Sequence, residues 1–322
     1  MSGSKESYPI VIFISLVIIF AIIRADISSS AIGNNIIEHH HLHRHLLDSY
    51  IRNVPIEELK AEAKLEDDEL IQQIAKFPNS TEKRVIAYAL YGTGLKYTKG
   101  ALRNAEFVHT YFPGWVARFY TATNVPAEVV TKLKSLGAEI IITDDGNSYS
   151  GMFHRFSIAK DPTVDRFIVR DVDSRLNARE RIAVEEWITS KKPIHVMRDH
   201  VNHCHEMNGG MWGGVKGSLP HMQEDLSKWM KEKNYGWDMG FLQSVVWGRV
   251  SNVSFGHDAY CCLKYPNNTR AFPTRRPVTY QHVGQVFDEN DHWRVKDINA
   301  YIKNKRVPEK CVHPDHPDWI YG

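Results

Sequence analysis

Asp171 and Asp173, separated by Val172, are the residues of this chain whose type and spacing most directly suggest chemistry. In an extended chain, side chains two positions apart point the same way, so both carboxylates face one side. Such a pair suits a hard divalent cation, Mn2+ or Mg2+, which takes oxygen ligands and keeps positions open for substrate phosphates. The pair follows the apolar run Arg166 to Arg170 and is flanked by Arg170, Arg175 and Arg179, whose planar guanidinium groups suit phosphate oxygens. Arg175 and Arg179 are the better phosphate candidates, because Arg170 falls where it can point into the sheet. A purely structural use also exists: Asp173 or Ser174 could cap a helix beginning near Asn177.

Two enzyme chemistries place an Asp-x-Asp at a strand end. Haloacid-dehalogenase-like phosphatases use the first Asp as nucleophile, and their pattern continues with Thr or Val two places after the second Asp, where this chain has Arg175. Nucleotide-sugar glycosyltransferases use the pair to hold a metal on the donor diphosphate. A non-catalytic relic that binds nucleotide or sugar without turnover is a third possibility.

Further along, Arg198, Asp199, His200 and His203 precede the glycine-rich run Glu206 to Gly217, EMNGGMWGGVKG. Asp199 or His200 is expected to contact donor sugar or acceptor. Gly209, Gly210 and Gly213, lacking side chains, would let the backbone approach a sugar closely. A zinc site made of His200, His203, Cys204 and His205 is the alternative, although ligands so close in sequence need a tight loop to surround the ion. Asp238 opens a helix, where it could accept a hydrogen bond from a sugar or acceptor hydroxyl, or serve only as an acid favoured by the helix dipole.

The elements that position these residues read as strands alternating with helices after Pro78. Arg84 to Tyr91, Trp115 to Thr121, Ala138 to Thr143 and Arg166 to Arg170 are strand patterns; helices are expected over about 98–111 and from Pro126 to near Gly137. That alternation implies βαβ units and a mainly parallel α/β sheet flanked by helices, with ligands bound beyond the carboxyl ends of the strands. Asp171 and Asp173 sit at such an end, as does Asp144-Asp145-Gly146. In the second half, Ile182 to Ile188, Leu219 to Lys233 and Trp237 to Val250 read as helices and Pro193 to Met197 as a strand. Glu206 to Gly217 reads as a loop, and the chain beyond Phe255 as loop-dominated.

The amino terminus carries Tyr8 to Ile23, sixteen residues without a charge. That is short for a membrane span of about 20 residues and suits the thinner membranes of the early secretory pathway. A cleaved signal peptide is the rival. The expected organisation is a cytosolic tail (1–7), a transmembrane signal anchor (8–23), a stem (24–79) and a catalytic domain (80–322), type II in the ER or Golgi membrane. The run HHHLHRH from His39 to His45 belongs to the stem. Sequons at Asn79, Asn252 and Asn267 would then be lumenal, and Cys261 or Cys262 could pair with Cys311. With 322 residues, 40 basic against 38 acidic side chains and a net charge of +2, the chain lacks the excess of Lys and Arg of a nucleic-acid binder. A hydrophobic content of 43% excludes wholesale disorder, and four cysteines are too few for a disulfide scaffold.

The block Arg170-Asp171-Val172-Asp173-Ser174-Arg175-Leu176, then Arg179-Glu180, Ala183-Val184 and Glu186-Trp187, is followed by His195 to His200 and by Gly209-Gly210-Met211-Trp212-Gly213. In these residues the chain resembles GT-A-type glycosyltransferases of the single-pass Golgi kind. More closely, it resembles a group of uncharacterised eukaryotic and algal-virus proteins that share the block, over about Val85 to Phe287. Val201 and Met239 depart from that group's pattern, in which Pro and Gln are expected. The resemblance implies a GT-A-like Rossmann-type fold. It further implies a metal held by Asp171 and Asp173, and nucleotide contact at Tyr91, Gly92 and Thr93. A third metal ligand is implied late in the chain, at His282 (before Val283-Gly284) or, less well matched, at His257-Asp258. The implied activity is transfer of a sugar from a nucleotide donor to a hydroxyl on a glycan, protein or lipid.

Overall fold

A computed structural model of the chain describes Pro55 and residues 59–143, 149–230 and 236–322. The tail, the apolar run 8–23, the histidine run 39–45 and Asp144-Asp145-Gly146 lie outside the described residues. Among those described, no helix is long and apolar enough to cross a membrane.

The chain runs α1 (Lys60–Ile74), β1 (Arg84–Leu90), α2 (Leu95–Tyr111), β2 (Trp115–Ala122), α3 (Ala127–Ser135) and β3 (Glu139–Thr143). A run of 3-10 turns (Tyr149–Lys160) leads to β4 (Arg166–Val169), α4 (Ala178–Ser190), β5 (Ile194–Arg198) and β6 (Trp212–Val215). Then come α5 (Met222–Trp229), α6 (Trp237–Phe241, continuing as helical turns to Val250), β7 (Ser254–Asp258), β8 (Thr269–Arg270) and α7 (Val295–Tyr301).

The eight strands form one sheet in the order β3-β2-β1-β4-β6-β5-β7-β8. Every pairing is parallel except those of β6, which is antiparallel to both β4 and β5. The mainly parallel α/β sheet expected from the strand–helix alternation is therefore present. Alternation along β1 explains the layering. Val85 and Ala87 join one core cluster with Phe153, Phe156, Trp212, Met222 and Phe241, whereas Ile86, Tyr88 and Leu90 join another with Ala101, Ala105, Val108, Val184 and Trp187. A strand covered on both faces must be apolar at every position, which is why RVIAYAL reads as a continuous run.

One reading is corrected. The glycine-rich run contains a strand: Trp212–Val215 forms β6 between β4 and β5, with Trp212 fully buried as its anchor. Glycines that read as loop residues here admit close neighbours, and the side chain of Phe167 packs where a Cβ on Gly214 would be. Beyond Phe255, the chain adds β7, β8 and α7, and a core of Tyr260, Phe272, Tyr280, Val283 and Ile302 is fastened by Cys204–Cys261 and Cys262–Cys311. Within the segment read as stem, α1 is helical and packs Ile74 against Ala178 and Ile182 of α4.

One close contact bears on the site. A Cβ on Gly100 would lie 2.2 Å from the carbonyl oxygen of Val172, so only glycine lets α2 pack this closely on the turn carrying Asp171 and Asp173.

Candidate active site

β4 ends at Val169, and the chain turns at once through Asp171 to Ser174. Backbone contacts hold that turn. The Asn104 side chain of α2 donates to the carbonyls of Val172 (3.2 Å) and Ser174 (2.9 Å) and accepts from the Leu176 N–H (3.2 Å). The Ser174 hydroxyl donates to the Asp171 carbonyl, and the Phe287 N–H donates to the Asp173 carbonyl at 2.8 Å. With its main chain fixed by others, the turn leaves its two carboxylates for other work. The capping use does not apply: Asn177 caps α4 by accepting from the Glu180 N–H at 2.8 Å.

Each carboxylate meets one cation. Lys96, in the first turn of α2, approaches Asp173 Oδ2 at 2.6 Å. Arg155, from the 3-10 run, reaches Asp171 Oδ1 with one guanidinium nitrogen and Asp238 Oδ2 with the other, the latter at 2.9 Å. Arg155 is buried. Burial opposes its charge, but the carboxylates of Asp171 and Asp238 outweigh that and hold its pKa above the usual arginine value. Asp238 is 4% exposed, whereas the Asp171 side chain is 43% exposed and open to solvent.

Backbone closes one wall. A Cβ on Gly210 would stand 2.1 Å from Asp171 Oδ2, so glycine alone lets the chain lie against that carboxylate. Gly209 lies in the same way against Arg155 and Asp238. At the end of β1, the Tyr91 ring packs on Gly151, and burial raises its hydroxyl pKa. The Gly92 N–H donates to the Asn124 side chain at 2.8 Å, and Thr93 is exposed.

Of the residues singled out in the sequence, the structure thus gathers Asp171, Asp173, Asp238, Gly209, Gly210 and Tyr91. Gly92 and Thr93 follow Tyr91 directly, whereas Arg175, Arg179 and Asp199 go elsewhere. Arg175 is buried, pairing with Asp291 at 2.9 Å and donating to the Ser174 carbonyl. Arg179 forks onto Asp199, both contacts at 3.0 Å, and donates to the Thr274 carbonyl. Both line a cavity of about 750 Å³ between α1 and the body, with Glu66, Phe287 and Trp293. None of Asp171, Asp173 and Asp238 lines that cavity.

Asp199, expected to touch a sugar, is fully buried and takes Arg179, Arg276 and the Val283 N–H. Burial works against its charge, but the two guanidinium groups hold its carboxyl far below the usual range. Four donors engage its two oxygens, and none remains for a substrate. His257 is fully buried between His195 (2.8 Å) and Glu186 (2.9 Å), and Asp258 accepts from the Tyr260 and Cys261 N–H groups, so neither is presented to a site.

His282 packs its ring against His200 (centroids 4.7 Å apart) and His203 (5.6 Å). Burial lowers all three pKa values, that of His203 to about 3, so the rings are neutral. Cys204 is in a disulfide, which removes the thiolate from the zinc set of His200, His203, Cys204 and His205. Among the described residues, no group of three or more His, Cys, Asp or Glu side chains is arranged to hold a metal, so the structure does not join His282 to Asp171 and Asp173 as one ligand set. The pair itself fits a hard divalent cation. Each carboxylate has one oxygen on a cation and a second outside that contact, and such ions need only one or two carboxylates when substrate phosphates complete the shell.

Arg155 and Lys96 were missed in the sequence, yet each left a signal. Arg155 stands with His154 between the apolar Phe153 and Phe156. Lys96 stands in the first helical turn, where the dipole disfavours a cation.

No protein-family model matches the chain, and no curated protein sequence matches it. Among solved structures, it is similar to a protein described as a glucose-1-phosphate thymidylyltransferase from Bacillus anthracis (14% identity, TM-score 0.37, covering 55% of this chain and 86% of that one). It is also similar to glucosyl-3-phosphoglycerate synthase from Mycobacterium tuberculosis (10%, 0.37, covering 58% and 73%). A third likeness is to mouse xyloside xylosyltransferase 1 (10%, 0.29, covering 60% and 85%). At these identities and scores, the function has to be read from the site.

Proposed function

We propose that the chain is a glycosyltransferase that moves a sugar from a nucleotide-sugar donor to a hydroxyl on a glycan, protein or lipid. One observation carries the reading: two carboxylates with little structural duty project from the end of a central strand, with cations and bare glycine backbone around them. Buried charge is ordinarily neutralised for stability, but here Asp171 stays 43% exposed in a turn that Asn104 and Ser174 already hold.

Asp171 and Asp173 would hold Mn2+ or Mg2+. Such an ion supplies Lewis-acid stabilisation of a departing nucleoside diphosphate. Lys96 adds a positive charge at the phosphates, and the Gly209–Gly210 backbone lets the sugar lie close to Asp171. Tyr91 and Gly92 border the nucleotide, with exposed Thr93 beside them. Asp238 orients Arg155 through one oxygen and offers the other to a sugar or acceptor hydroxyl. His200, neutral and in contact with the other two rings, takes an acceptor-side role. His282 serves through that cluster.

We place the chain in the ER or Golgi lumen, type II, anchored by residues 8–23. Two observations support that compartment: all four cysteines are paired, as an oxidising environment allows, and Asn79, Asn252 and Asn267 are exposed.

The test is a panel of nucleotide sugars assayed for donor hydrolysis and transfer, with and without Mn2+. Metal-stimulated release of nucleoside diphosphate from one donor, lost in Asp171→Ala with the fold intact, is expected. Release of inorganic phosphate with a trapped aspartyl intermediate would instead identify a phosphatase, and activity undiminished in Asp171→Ala would remove the proposal.

A further inference from the structure

Arg155 ties the donor-side carboxylate to the acceptor-side one, and the charges around it can be counted. Asp171, Asp173 and Asp238 stand against Arg155 and Lys96, which leaves one formal negative charge in the pocket. A divalent cation turns that into one positive charge. A donor diphosphate, with two negative charges, is then attracted, whereas the same diphosphate entering without the cation meets net repulsion.

We infer that Arg155 sets this balance, weakening the metal's hold on Asp171 while strengthening the hold on the diphosphate, so that cation and donor bind in sequence. Geometry gives Arg155 the position to do so. Its guanidinium is buried, it cannot lose its proton, and it bridges Asp171 Oδ1 and Asp238 Oδ2 directly beneath the Gly209–Gly210 backbone. Its field therefore acts through a medium that screens far less than water. A residue that only held the fold together would affect both ligands alike when removed. A charge-setting residue acts on them in opposite senses, because one ligand is a cation and the other an anion.

The inference rests on the glycosyltransferase reading and is tested separately from it. Mn2+ binding is measured by electron paramagnetic resonance on the metal alone, and UDP and GDP binding by calorimetry at saturating Mn2+. In Arg155→Gln, Mn2+ should bind at least about tenfold more tightly and the diphosphate at least about tenfold more weakly, since one unit charge at close range in a poorly screened pocket is worth more than that. Arg155→Lys, which keeps the charge and loses the fork, should stay within about threefold of the parent for both. Should Arg155→Gln not fold, Asp238→Asn carries the same test with both signs reversed. Changes of the same sign for the two ligands, or none, in whichever variant folds would overturn the role of Arg155 and leave the enzyme reading standing. A parent protein that takes up neither Mn2+ nor either diphosphate would overturn both.

Discussion

Arg170-Asp171 and Arg198-Asp199 are the same dipeptide at the same kind of place, the carboxyl ends of β4 and β5, and they end in opposite states. Asp199 is fully buried, its oxygens engaged by Arg179, Arg276 and the Val283 N–H. Asp171 is 43% exposed, with a single arginine on one oxygen and glycine backbone beside the other. Their arginines diverge less: Arg170 is sealed against Glu180, and Arg198 against the His205 carbonyl and Asp258. The difference lies in what the rest of the chain brings. The segment from Thr274 to Val283 folds over the end of β5 and delivers Arg276 and a backbone donor to Asp199, whereas the backbone of Gly209 and Gly210 lies across the end of β4 and Arg155 meets one oxygen of Asp171. A carboxylate can act on a substrate when the fold leaves it an unengaged oxygen.

The strongest challenge to that contrast is Asp199→Asn. Removing one partner from a buried ion network leaves Arg179 and Arg276 uncompensated and should cost about 3–5 kcal/mol of stability. Chemical denaturation reads this directly, and a loss under about 1 kcal/mol would end the claim that Asp199 is structural. Asp171→Asn should do the reverse. Its midpoint of unfolding should barely move, while metal-stimulated donor turnover drops at least about a hundredfold. Turnover that survives, or a fold that does not, would erase the distinction between the two acids.

Glu66 of α1 sharpens the comparison with an intermediate case, a half-buried carboxyl that accepts from the Val278 N–H at 3.0 Å. Burial pushes its pKa up to about 7. Because the folded state then binds the proton more tightly than the unfolded one, the stability that Glu66 lends is complete below about pH 4.5 and is lost as pH rises through about 7. Glu66→Gln, neutral at every pH, should flatten that decline by about 2–3 kcal/mol between pH 4.5 and 7. An unchanged pH–stability curve would show that the carboxyl is not desolvated. The smallest effect belongs to Lys96→Met. Its pair with Asp173 is partly exposed, so stability should change by under about 0.5 kcal/mol, while the KM for donor rises a few-fold. Equal loss in both would make Lys96 a structural residue.

Most of the first half was legible because short-range patterns settle it. The apolar runs of β1, β2 and β4 and the punctuation at Gly92, Pro113 and Pro126 place strands and helices within a few residues of where they are. β6 was not legible: Trp212-Gly213-Gly214-Val215 has the composition of a loop and becomes a strand only because β4 and β5 pair with it from both sides. Of the residues singled out for the candidate site, Asp171, Asp238, Gly209 and Gly210 lie together, with Asp173 on the same turn as Asp171. Arg175 and Arg179 were expected there too, since nothing local shows that Asp291 and Asp199 claim them.

Sequence alone determined the parallel α/β arrangement and the two acids at the end of β4, because both depend on periodicity and spacing within a few residues. Tertiary structure decided which charges meet. Arg155 reaches Asp238 across 83 residues, and Asp199 takes Arg276 from 77 residues away. Contacts that distant follow from how whole elements pack, and that packing settles whether a carboxylate becomes a strut or stays open to a substrate.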